Sequence, residues 1–126
     1  MSYDEGLRTI SLPANADLSA AQFKFGVINT SGRIEVGNAA GEACHGIIQD
    51  KPVAAGEPTK FGVRGVSKVV LGVDSLTPGV EVMTDTSGRA ITATAGSRAL
   101  GVLTLGGDAD EVGAVLLYGV PMQRNA

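Results

Sequence analysis

Apolar and polar residues alternate along this chain in short runs, as in Arg33-Ile34-Glu35-Val36 and Glu81-Val82-Met83-Thr84. A period of two sends successive side chains to opposite faces of an extended strand, so these runs predict half-buried β-strands. Glycine cuts the runs short. After Gly26 the longest glycine-free stretch is Ile47 to Ala55, and Pro52 interrupts it, which leaves no room there for a helix of ordinary length. Strands are predicted near 23–29, 33–37, 43–49, 59–65, 68–73, 80–85, 89–94, 98–105 and 112–119. Many short strands with turns about eight to twelve residues apart predict an all-β sandwich or barrel.

The pattern also repeats. Thr30-Ser31-Gly32-Arg33 recurs as Thr86-Ser87-Gly88-Arg89, 56 positions on, each copy preceded by Asn29 or Asp85. Gly41 pairs with Gly96, Gly46-Ile47-Ile48 with Gly101-Val102-Leu103, Ala55-Gly56-Glu57 with Ala109-Asp110-Glu111, and Gly65-Val66 with Gly119-Val120. The offset falls from 56 to 55 to 54, as it does when loops lose single residues while strand registers persist. Two copies over 25–66 and 80–120 predict two similar halves sharing a core with approximate two-fold symmetry. In each repeated turn the Asn or Asp side chain can accept from amides further on, and the glycine can close a hairpin. Residues 1–22 show no repeat partner and read as an N-terminal arm on a single β domain of residues 23–126. Within the arm, Asp17 to Gln22 could form one capped helical turn.

Composition narrows the class. The 126 residues include 18 Gly and only five aromatics, with 44% hydrophobic residues, which fits neither collagen nor a disordered chain. The net charge of −3 comes without a basic patch, which argues against nucleic acid as partner. No apolar run is long enough for a membrane helix, and MSYDEGLRTISLP lacks the basic and apolar regions of a secretory signal. Cys44 is the only cysteine, so no intrachain disulfide can form, as suits synthesis in a reducing cytoplasm.

Catalytic material is scarce. The single histidine, His45, follows Cys44 directly, and in a strand the two side chains would point apart, so they cannot act as a thiolate–imidazolium pair. One Cys and one His do not make a zinc site. Asp108, Asp110 and Glu111 lack the spacing of a calcium loop and read as a solvated hairpin tip. Lys60 stands before the second glycine of Gly56-Glu57-Pro58-Thr59-Lys60-Phe61-Gly62, the wrong order for a phosphate loop. No enzyme, metal or cofactor is expected. The alternative is a small β binding module, such as a glycan binder or a lipoyl- or biotinyl-carrier-like domain with Lys68 as the modified residue, although the valines around Lys68 place it inside a strand.

The ordered set of segments resembles the decoration, or cement, proteins of tailed-bacteriophage capsids. The resembling segments are Leu18 to Phe25, Gly46 to Pro52, Ala55-Gly56-Glu57, Gly65 to Val70, Pro78-Gly79-Val80 and Ser87-Gly88-Arg89-Ala90. The family's usual Gly-Asp at entry to the second half stands here as Gly79-Val80. The resemblance implies a β-barrel or tulip-like domain, commonly a homotrimer, made in the host bacterial cytoplasm. It would sit on the outside of the expanded capsid, bridging major capsid protein subunits against internal DNA pressure. On that reading Leu7, Ile10 and Leu12 of the arm are candidate anchors on a capsid or neighbour edge, and Val66, Val69, Val70 and Leu71 a candidate trimer seam.

Overall fold

The computed structural model describes residues 6–123, with side chains through Tyr118, and among them it is all-β with no helix. The nine strands are β1 (Arg8–Pro13), β2 (Phe25–Ile28), β3 (Ile34–Val36), β4 (Gly46–Ile48), β5 (Pro58–Val70), β6 (Glu81–Thr84), β7 (Ala90–Thr92), β8 (Arg98–Leu105) and β9 (Val112–Gln123). They form one curled, barrel-like antiparallel sheet in the order β3-β2-β4-β5-β9-β8-β6-β7, with β1 added on β5. The stretches predicted at 59–65 and 68–73 merge largely into β5. Its first half pairs with β4 and β1, its second half with β9.

Strand registers reproduce the repeat. Gly26↔Val36 and Ile28↔Ile34 become Val82↔Thr92 and Thr84↔Ala90 at an offset of 56. Phe25↔Ile47 becomes Glu81↔Val102, and Ile48↔Phe61 becomes Leu103↔Val115. The turns match as well. Asn29 Oδ1 accepts from the amides of Ser31 (2.9 Å) and Arg33 (3.0 Å), and Asp85 Oδ1 from those of Ser87 and Arg89 (both 2.8 Å).

The repeat reaches further toward the N-terminus than its sequence shows. Leu12↔Thr59 in β1 and β5 is matched by Val69↔Gly113 in β5 and β9, and Pro13↔Pro58 by Val70↔Val112. The Ala14 amide donates to the Glu57 carbonyl (2.8 Å), as the Leu71 amide does to Glu111 (2.8 Å). Thus β1 is the first repeat's counterpart of the second half of β5, at an offset of 57. The described part of the arm is therefore built into the domain, while residues 1–5 lie outside the described residues. The helical turn expected within the arm over Asp17 to Gln22 does not form; Asp17 Oδ1 instead accepts from the Ser19 amide (2.9 Å) and hydroxyl (2.7 Å), holding a turn.

Each repeat builds the same small core: Ala14, Leu18, Ile34, Ile48 and Phe61 in the first, Leu71, Leu76, Ala90, Leu103 and Val115 in the second. Burying each larger side chain contributes about 1.5–3 kcal/mol, so each set is a substantial share of the fold's stability. The two halves do not meet by a two-fold. Phe25, Cys44 and Ile47 of the first repeat join the second repeat's core, whereas the counterparts of Phe25 and Ile47, Glu81 and Val102, lie only half-buried on the other side of their strands. The Phe25 amide donates to the Gly88 carbonyl (2.7 Å), and among the described residues no matching bond joins Glu81 to Gly32. The repeats stack front to back: the first repeat's part of the sheet (β1 to β4 and the start of β5) buries Phe25 and Ile47 against the second repeat, whereas the matching positions in the second repeat's part (the end of β5 and β6 to β9, here the second sheet) stay half open.

Candidate interaction surface

Strand alternation sorts the side chains of that second sheet. Ser67, Val69, Val115, Leu117 and Leu103 point into the core, and all are buried. Their neighbours point outward in transverse rows set by the register: Val66 beside Leu116, Val102 and Glu81; Lys68 beside Ala114 and Leu105; Val70 beside Val112. Leu105, Val112 and Leu116 are 45%, 47% and 42% exposed, three of the six exposed large hydrophobics among the described residues, and the register places them together. Charges stand at opposite margins. The Lys68 ammonium lies 5.5 Å from the centre of the Phe23 ring at the β5 margin, and Tyr118 donates to Glu81 Oε2 (2.7 Å) at the β6 margin.

The seam residues expected from sequence divide between two roles. Val69 and Leu71 are fully buried within the chain, while Val66 and Val70 face outward and are half-buried. Sequence reasoning missed Leu105, Val112 and Leu116, which come from the second repeat; their only sequence signal is an apolar residue at each outward strand position. The arm residues divide similarly. Leu7, partly buried, packs against the larger core cluster and Leu12, also partly buried, against the smaller, while Ile10, paired with Phe61, is the most open of the three at 39% exposed. Among the described residues β1 pairs with no strand but β5, so its other edge has no strand partner among them.

The groups weighed for chemistry have structural partners. Cys44 is buried, and burial, with the nearby Glu42 charge, pushes its thiol up to about 12, far from a reactive thiolate. His45 Nδ1 accepts from the Ile28 amide (3.0 Å). Asp108 accepts from the Ser75 amide (3.0 Å), Glu111 from the Asp108 amide (2.8 Å), and Asp110 from Arg89 (3.0 Å). Asp110, together with Asp85, holds the Arg89 guanidinium above its usual range. Among the described residues no cluster of three or more His, Cys, Asp or Glu could hold a metal ion. Lys68 sits mid-strand opposite Ala114, not at a hairpin tip where a carrier lysine would be presented.

The chain shares its fold with a phage head-fiber base. The solved structure of the N base of the head fiber gp8.5 of bacteriophage phi29 matches with a TM-score of 0.68, covering 93% of this chain and 100% of that one. Sequence identity is 16%, so the likeness is one of fold. No family model matches the chain, and no curated protein does.

Proposed function

We propose that this chain is a structural protein of a tailed-phage virion, attached to the outside of the head shell. The observation that carries the reading is the whole-chain likeness of fold to the base of a phage head fiber. The sequence resemblance to capsid decoration proteins supports it independently. On this reading the protein binds the expanded capsid, bridges major capsid protein subunits and stiffens the shell against internal DNA pressure. A homotrimer suits that work: once one subunit's footprint engages, the others bind at high effective concentration, and modest contacts add up to firm attachment. Within the arm, Ile10 and the β1 edge that has no strand partner among the described residues are our candidates to pair with a shell strand, whereas Leu7 and Leu12 pack on their own domain.

Co-sedimentation with the phage's own expanded and unexpanded shells tests this. The protein should pellet with expanded shells, and electron microscopy should show added density on their outer surface. Absence of binding to both shell forms would overturn the reading.

A further inference from the structure

We propose that the outward face of the second sheet, centred on Leu116 and Leu105, is where a second copy of this chain docks. The inference deepens the self-association proposed above by giving it a surface. Comparison of the two repeats shows that the solvent-exposed apolar character of this face is particular to the second. At equivalent positions the first repeat carries Thr9, Asp50, Lys60 and Gly62; the second carries Val66, Leu105, Ala114 and Leu116. Three polar residues and a glycine in one copy thus correspond to four apolar residues in the other, of which Leu105 and Leu116 are exposed, Val66 is half-buried and Ala114 is buried.

A duplicated scaffold has no need of this change for its own core. In the first repeat this face is covered at Phe25 and Ile47, which are fully buried, and where it is open to solvent it carries the polar Thr9, Asp50 and Lys60. In the second, Leu105, Val112 and Leu116 are left more than two-fifths exposed. Apolar side chains grouped in this way on a sheet face mark an association surface.

Charge placement identifies the occupant. Lys68 lies at the β5 margin of the patch and Glu81 at the β6 margin, so the two margins carry opposite sign. Copies arranged around a common axis with this face inward turn the β5 margin of each toward the β6 margin of the next. That arrangement brings Lys68 of one copy toward Glu81 of its neighbour and closes the apolar rows against each other. The surface thus complements itself, as a closed homo-oligomer requires.

Sedimentation velocity of the full chain from about 1 to about 100 µM reads the outcome, since self-association depends on concentration. The wild type should assemble. Leu116→Glu and Leu105→Glu should each raise the dissociation constant at least ~10-fold, while Val53→Glu, at an exposed valine elsewhere, should not. Circular dichroism melts confirm that each variant is folded. Lys68→Glu and Glu81→Lys should each weaken assembly, and the double reversal should restore it. A wild type that stays monomeric overturns both self-association and this surface. Assembly unmoved by the Leu116 and Leu105 variants overturns the surface alone. Loss of shell binding in Leu116→Glu, with the wild type monomeric, overturns the proposal and assigns the face to the shell.

Discussion

Leu71 meets Ala90 across a parallel bridge in the second repeat, and both side chains are fully buried. The first repeat has the same bridge between Ala14 and Ile34, also fully buried. The large and small partners are exchanged, so each bridge holds one branched aliphatic side chain and one methyl. Close-packed interiors tolerate changes that conserve volume and penalise those that do not.

This exchange predicts a rescue. Leu71→Ala alone should destabilise by about 2–5 kcal/mol through the cavity it leaves. Ala90→Ile alone should cost about 1–3 kcal/mol through overpacking. The double variant, which rebuilds the first repeat's pair in the second, should be more stable than Leu71→Ala. Chemical denaturation of the four proteins measures the coupling, and strictly additive costs would show that the two sites do not share one volume.

Gly32 and Gly88 close the same turn with φ of 75° and 82°, but in different surroundings. A Cβ on Gly32 would meet nothing within 4 Å, whereas one on Gly88 would come within 2.7 Å of Val36 Cγ2 and 3.1 Å of Lys24 Cβ. Gly32→Ala should therefore carry only the left-handed backbone cost, about 1–2 kcal/mol. Gly88→Ala should cost more, because it also pushes the second hairpin off the first repeat. Denaturation midpoints of the two variants should differ in that order; equal losses would mean that the contact between halves yields freely.

The all-β class, most strand positions and the repeat from the first hairpin onward could be read because turn chemistry survives as sequence. Asn29 or Asp85 and the glycine three residues on are demanded by backbone amides and φ, so both copies keep them. The repeat's first strand could not be read. Arg8 to Ala14 and the stretch ending in Leu71 share only backbone pairing, which places little demand on side-chain identity beyond apolar Leu12 and Val69. The open face was hidden for a related reason: Val66, Leu105 and Leu116 are far apart in sequence and come together only through the registers of β5, β8 and β9. Front-to-back stacking was equally illegible, since it appears only in which copy of an equivalent pair is buried.

Removing residues 1–13 should destabilise the domain as well as disarm it, because β1 covers one edge of β5 and Leu12 packs on the smaller core cluster. A point change isolates the arm's outward role better. Ile10→Lys should leave the thermal midpoint nearly unchanged, since Ile10 is already 39% exposed, yet weaken co-sedimentation with expanded shells. Undiminished binding would remove Ile10 from the shell contact and leave only the backbone edge of β1.

Cys44 predicts a loss of stability in alkali. Burial pushes its thiol up to about 12 from an ordinary value of 9.0, so the fold favours the protonated form and the unfolded chain ionises first. Below about pH 9 the thiol is neutral in both states and this contribution is fully present. As pH rises from about 9 toward 12 the unfolded chain loses its proton while the folded chain keeps it, which draws the equilibrium toward unfolding. Cys44→Ala should remove this part of the pH dependence, at the cost of a smaller side chain beside Thr84 and Gly37. Guanidinium melts of both proteins at pH 7 and pH 10 give the comparison: the wild type should lose more stability between the two than the variant. Ellman's reagent should label the native thiol only as fast as the protein opens, and rapid labelling at neutral pH would contradict the burial on which the shift depends.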